Sequence, residues 1–269
     1  MFDISSFIQL LQTGWLGRRF WYFRTLDSTN RLIQDIPGRR LSDGMVCLTD
    51  HQTGGKGQFG RSWFSSENEN LTFTIVLKPS GNISLQLFSL AVMLAMNETV
   101  RNTTTCNSTI KWPNDLMVAE KKLAGLLTEC RYNGKKLDRV AFGLGMNVNQ
   151  TQFPEKISDR ATSLCNETAG RPVDRSLLLA MFLNRMEPYF SRAADGDLDL
   201  IREINRNIRG YGQWVSIHVD GIREETPVKI IGINEFGYLM VLTANDDIKT
   251  FTHEQVRIGY DESEQGVAP

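Results

Sequence analysis

Between positions 54 and 60 four glycines fall within seven residues, with Lys56 inside the run and Arg61 directly after it. Glycine lets backbone N–H groups come close to an anion and adopt positive φ, while cations offset the anion's charge. The residues C-terminal to such a run limit the folds that can use it. Gly55-Lys56-Gly57-Gln58-Phe59-Gly60 has the letters of a dinucleotide fingerprint, but residues 61–70 carry no helical pattern, so no Rossmann helix opens here. Nor does Ser or Thr come after Gly-Lys at the spacing a P-loop needs. A plain surface connector would carry the same glycines, so the run by itself assigns no function.

The flanking pattern points to an α+β fold. Residues 19–23, 44–49, 71–77, 109–112, 122–131 and 139–147 read as strands, and Leu-Thr-Phe-Thr-Ile-Val-Leu at 71–77 as a buried one. A helix is expected after Ser28 or Asp27 as N-cap. Residues 84–101 carry an apolar stripe at 87, 90, 91, 94 and 100, and 174–191 and 197–208 are helices each opened by an Asp. From Gly212 the texture changes to short strands at 214–219, 226–233, 238–243 and 248–252, separated by Asp220-Gly221, residues 234–237 and residues 245–247 as turns. That spacing predicts a small antiparallel barrel of SH3-like size. The expected organisation is a catalytic unit over 1–211, a barrel over 212–260, and a disordered acidic tail at 261–269.

Thirty basic and 31 acidic residues leave a net charge of −1, against a dedicated nucleic-acid binder. Cys47, Cys106, Cys130 and Cys165 lie far apart, without CxxC spacing, and only three histidines are present. These thiols read as buried apolar side chains in a reducing cytoplasm rather than zinc ligands. The first residues carry Asp3 early and arginines late, the wrong order for a signal peptide, and the apolar stretch near 85–96 is too short to span a bilayer. A soluble cytoplasmic protein is expected.

A second signal is Lys111-Trp112-Pro113-Asn114-Asp115, with Lys121-Lys122-Leu123-Ala124-Gly125 shortly after it. Pro113 is expected to hold Trp112 extended and end a strand, Asn114-Asp115 to supply a turn with exposed polar side chains, and Lys122 to present an ammonium near it. Each half alone is also ordinary turn or solvated-edge chemistry.

In combination the blocks resemble the biotin–protein ligases. Members of that family look like Ser/Thr-Thr-Asn, Gln-x-x-Gly-Arg-Gly-x-x-Gly-Arg, Lys-Trp-Pro-Asn-Asp, Lys-Leu-x-Gly and Gly-x-Gly-x-Asn. The same series stands here in order as Ser28-Thr29-Asn30, residues 52–61, residues 111–115, Lys122-Leu123-Ala124-Gly125 and Gly143-Leu144-Gly145-Met146-Asn147. The resemblance covers about residues 20 to 260. It implies a mixed sheet backed by helices, related to lipoate ligases and class II tRNA synthetases, with an SH3-like barrel. Some members add an N-terminal winged helix-turn-helix; fewer than 30 residues precede Ser28, so no DNA-binding role is expected.

The implied reaction joins biotin to ATP as biotinyl-5'-AMP and then to a lysine of a biotin carboxyl carrier protein. Magnesium enters with ATP, no metal site is built by the protein, and a homodimer is left open. By resemblance Lys122 meets the biotin carboxylate and the α-phosphate, with Lys111 and Asp115 shaping the catalytic site. Ser28, Thr29, Asn30, Gln52, Gly55, Lys56, Gly125 and Gly143 are the biotin-site residues, the last two glycines leaving room for the ligand. Lys56, Gly57, Gln58 and Arg61 belong to the loop over the adenylate, with Trp63 and Asn147 toward adenine; a buried core role fits Trp63 as well. Lys56 and Gln58 stand where many members carry Arg, which weakens charge-assisted phosphate binding. A lipoate–protein ligase or a non-catalytic biotin-binding module are the competing readings.

Overall fold

The computed structural model describes residues 1–79, 81 and 83–259. The tail expected at 261–269 lies outside them. Helix α1 (Ile4–Leu10), capped by Asp3, precedes β1 (Phe20–Leu26), α2 (Thr29–Asp35), β2 (Val46–Gln52) and β3 (Leu71–Leu77). Then come α3 (Leu85–Thr103), β4 (Ser108–Lys111), β5 (Asp115–Val118), β6 (Lys121–Asn133) and β7 (Lys136–Met146). Next are three helices, α4 (Leu164–Glu167), α5 (Arg175–Ala194) and α6 (Leu198–Asn207). The C-terminal part holds β8 (Trp214–Val219), β9 (Ile222–Arg223), β10 (Val228–Ile233), β11 (Leu239–Leu242), β12 (Ile248–Phe251) and β13 (Val256–Gly259).

The first seven strands form one mixed sheet in the order β1-β2-β3-β7-β6-β5-β4, with only β1 and β2 parallel. Strand β3 sits inside it and is buried along its whole length. Its continuous apolar run reflects cover on both faces. On one face α3 and α5 pack; Phe73 meets Phe182 at 5.7 Å and Phe142 meets Phe190 at 5.9 Å between ring centroids. On the other, α2 closes a smaller core of Ile33, Leu41, Met45, Cys47, Val76 and Ala141. The remaining six strands make an antiparallel sheet, β12-β11-β10-β8-β13 with β9 on β8, curled in the manner of an SH3-like barrel.

Several expectations change. The α3 stripe is too narrow, because α3 packs against the sheet, α5 and α6 and buries Ser89, Asn97 and Thr99 too. Asn97 is accommodated by donating to Asn207 Oδ1 at 2.9 Å and accepting from Ser108 at 2.6 Å. The turn of the Lys-Trp-Pro-Asn-Asp block spans residues 112–114, with a cis Trp112–Pro113 bond, and Asp115 opens β5 rather than ending the turn. Asn114 is not free at that turn: its Nδ2 donates to the Leu126 carbonyl at 2.7 Å. Trp112 is buried and its indole N–H donates to the Gly237 carbonyl of the barrel at 3.1 Å. Cys47, Cys106 and Cys165 are buried, but Cys130 is half-buried. No helix of the described residues is long and apolar enough to cross a membrane.

Candidate active site

Three glycines on adjacent strands floor the site. In register, Asp115 of β5 pairs with Gly125 of β6, Gly125 with Gly145 of β7, and Gly145 with Thr72 of β3. One row over, Leu127, Gly143 and Thr74 lie side by side. Strand side chains alternate between faces. Phe142, Leu144, Ala124 and Leu126 belong to the core shared with α3 and α5, so Gly125, Gly143 and Gly145 face the opposite way.

Each of these glycines is overlaid by a protein side chain. A Cβ at Gly125 would sit 2.8 Å from Lys122 Cε, one at Gly143 2.3 Å from Asn30 Oδ1, and one at Gly145 2.2 Å from Trp63 Cε2. A side chain at Gly125 or Gly143 would therefore press on Lys122 or Asn30, which lie over these two positions.

Lys122 reaches this face through an irregularity. In a regular strand, residues three apart point to opposite sides, yet Lys122 lies over Gly125. The β5–β6 register shifts between Leu116 and Met117, so that Leu116 pairs with Ala124 and Met117 with Lys122. The extra residue is Leu123, which joins Ala124 in the core. A bulge of this kind re-aims the side chain beside it. The segment before α4 then clamps the Lys122 backbone: Lys122 N–H donates to Arg160 O at 2.8 Å and its carbonyl accepts from Thr162 N–H at 3.0 Å. The ammonium ends 2.6 Å from Asp115 Oδ1 and 5.7 Å from the centroid of the Trp63 ring. Lys111 is opposite Asp115 in the β4–β5 pairing.

A polar ladder runs from the start of α2 across the glycine floor. Ser28 caps α2 by accepting from Arg31 N–H. Thr29 donates to Gln52 Oε1 from both its N–H, at 2.9 Å, and its hydroxyl, at 3.2 Å. Asn30 Nδ2 donates to Glu129 at 2.8 Å and to the Leu127 carbonyl at 3.2 Å, and its Oδ1 accepts from Thr74 at 2.6 Å. Asn147 Nδ2 donates to the Thr162 carbonyl at 2.9 Å. Trp63 Nε1 and His51 Nδ1 are buried without a hydrogen-bond partner among the described residues.

The chain is similar to known proteins. Residues 22–147 fit the model of the Biotin/lipoate A/B protein ligase family. A biotin protein ligase from Aquifex aeolicus, solved in complex with biotin and ATP, superposes with a TM-score of 0.79 at 28% identity, covering 90% of this chain and 99% of that one. The likeness to biotin protein ligases thus runs along most of the chain. It is 27% identical over 254 residues to the bifunctional ligase/repressor BirA of Bacillus subtilis, covering 93% of this chain and 77% of that protein. With the Escherichia coli BirA it shares 31% identity over 165 residues, which is 60% of this chain and about half (50%) of that protein's length.

In this chain the glycine-rich run is a small hairpin. Lys56 and Ser62 form an antiparallel bridge, Gly57 N–H donates to Arg61 O at 2.7 Å, and Trp63 N–H to Gly55 O at 2.9 Å. Gly55 packs directly on Trp63, where a Cβ would lie 2.6 Å from its carbonyl. The left-handed residues are Phe59 (φ 56°) and Gly60 (φ 74°), on the turn Gln58–Gly60. Gly57, at φ −108°, has a backbone open to any residue. Lys56 and Arg61 are exposed, and neither side chain has a hydrogen bond or ion pair with another described residue.

The site roles read from the sequence do not include Gly145, Thr74, Glu129 or Thr162. For Gly145 a signal exists: it is two residues from Gly143 in a strand, hence on the same face. Thr74, Glu129 and Thr162 act by supporting Asn30 and Asn147 across long sequence separations, which no local pattern records.

Proposed function

We propose that this chain is an ATP-dependent biotin–protein ligase that forms biotinyl-5'-AMP and transfers the biotinyl group to a lysine of a biotin carboxyl carrier protein. The Lys122–Asp115 pair above Gly125 carries the reading. It places one cation, already matched to a carboxylate, over a glycine floor and beside an aromatic ring. An arriving carboxylate and phosphate can replace Asp115 as partners of that ammonium.

In the first half-reaction a biotin carboxylate oxygen bonds to the α-phosphorus of ATP, and the α–β bridging oxygen leaves with pyrophosphate. The nucleophile is already ionised at neutral pH, so positioning and charge stabilisation matter more than a base. Lys122 supplies that charge, with Lys56, Gly57, Gln58 and Arg61 closing over the phosphates. Trp63 offers its ring to adenine, and Asn147 keeps its carbonyl oxygen for a donor there. Ser28, Thr29, Asn30, Gln52, Gly55, Lys56, Gly125 and Gly143 line or support the biotin side. In the second half-reaction the acceptor amine bonds to the acyl carbon, AMP leaves with the bond electrons, and a proton departs from nitrogen. Asp115, displaced from Lys122, is placed to take it, and Lys111 keeps the strand pair in register. Magnesium travels with the ATP phosphates, and among the described residues no three His, Cys, Asp or Glu side chains converge to hold an ion.

Residues 1–211 are assigned to this chemistry and 212–260 to the barrel, in a cytoplasmic enzyme. The test is pyrophosphate–ATP exchange with biotin or lipoate as the acid. Exchange dependent on biotin supports the reading; exchange with lipoate alone, or with neither, removes it.

A further inference from the structure

Arg257 of β13 places its guanidinium carbon 4.7 Å from the centroid of the Phe59 ring. The guanidinium is itself fixed, since Nη1 donates to the backbone carbonyls of His253 and Val256. Phe59 stands at the tip of the glycine-rich hairpin with 64% of its surface exposed and φ 56°. Both features are unfavourable for a phenylalanine: its ring gains little burial, and non-glycine residues seldom occupy left-handed backbone. What it gains is a cation over its face. The hairpin needs such an anchor because Lys56, Phe59, Gly60 and Arg61 are exposed and the four glycines of the run widen the conformations open to it.

We propose that Phe59 and Arg257 form a latch through which the C-terminal barrel positions the glycine-rich loop over the adenylate. Arg257 is thereby a positioning residue that acts through the loop. The part of this concerning the adenylate rests on the ligase reading above; the latch itself does not. It gives the barrel a physical connection to the reaction on the sheet, in addition to the Trp112–Gly237 hydrogen bond.

Two measurements on the full chain test it, using Phe59→Ala, Arg257→Met, the double variant and Phe59→Tyr. The first is tryptic cleavage after Lys56 and Arg61 without any ligand. Each single variant is expected to be cleaved about 2- to 5-fold faster, in line with an exposed cation–π contact, and the double variant no faster than the singles. Phe59→Tyr, which keeps the ring, is expected to behave as wild type. Unchanged cleavage overturns the latch whether or not the protein is a ligase. The second is release of labelled biotinyl-adenylate together with KM for ATP. Both are expected to rise by the same factor in either single variant, with kcat held. Multiplying effects in the double variant would mean that Arg257 meets the nucleotide directly, which also overturns the proposal. Absence of biotin-dependent exchange in the wild type would remove the ligase reading and leave the proteolysis to decide the latch.

Discussion

Lys122 and Asp115 lie on neighbouring strands with the ammonium nitrogen 2.6 Å from a carboxylate oxygen, directly above Gly125. The pair is partly exposed, so its own contribution to stability is small, of the order of 1 kcal/mol or less. In the proposed reaction its weight falls on chemistry, the carboxylate holding the cation where the anionic substrates would arrive. Lys122→Ala is expected to lower biotin-dependent pyrophosphate exchange by about 100-fold or more while the melting temperature stays near wild type. An exchange rate close to wild type would remove Lys122 from the reaction.

Asp115→Asn separates holding from catalysis. The amide can still hydrogen-bond Lys122 but carries no charge and accepts no proton. Transfer from preformed adenylate to the carrier lysine is expected to slow about 10-fold or more, in the range of a lost general base. Adenylate formation should change much less. Equal loss in both half-reactions would make Asp115 an organiser of Lys122 only.

Gly145→Ala tests the glycine floor at the motif glycine to which the sequence assigns no role. Its Cβ would come 2.2 Å from the Trp63 indole, which must then swing away from Gly145 and Lys122. KM for ATP is expected to rise with KM for biotin held, and tryptophan fluorescence to shift. Gly143→Ala should act differently, because it presses on buried Asn30 and its bonds to Glu129 and Thr74. Differential denaturant unfolding is expected to show a loss of about 1–3 kcal/mol.

The strands β3, β6 and β7, the caps Ser28, Asp174 and Asp197, and the barrel's turns are legible in the sequence, because each depends on near neighbours. The motif blocks point to Lys122, Asp115, Asn30 and Trp63. Their convergence depends on sheet order, which brings β3 beside β7 and so sets Thr74 against Gly143. The short strand β5 reads as a turn because Pro-Asn-Asp is good turn chemistry and the strand is only four residues long. The edge strands β9 and β13 escape sequence reasoning for a similar reason, having two and four residues. The bulge at Leu123 leaves no mark in composition, yet it decides which way Lys122 points.

An alkaline titration probes the packing beneath the site. Tyr22 donates to Asp50, which also accepts from Arg175 at 2.8 Å. Burial first, then the bond to the Asp50 carboxylate and its charge, push the Tyr22 phenol up to about 12. A proton held more tightly in the folded state adds stability below the unfolded pKa of about 10 and loses it as pH rises toward the folded value. Stability is therefore expected to fall between about pH 10 and 12, with a shallower fall in Tyr22→Phe. Identical slopes for both proteins would show that Tyr22 is not linked to folding.

The most direct measurement is mass analysis of a biotin carboxyl carrier domain after incubation with this protein, ATP, magnesium and biotin. Wild type is expected to add one biotinyl group at the acceptor lysine and release AMP and pyrophosphate, with Lys122→Ala adding almost none in the same time. An unmodified carrier with folded wild-type protein, or equal modification by wild type and Lys122→Ala, would contradict a ligase centred on Lys122.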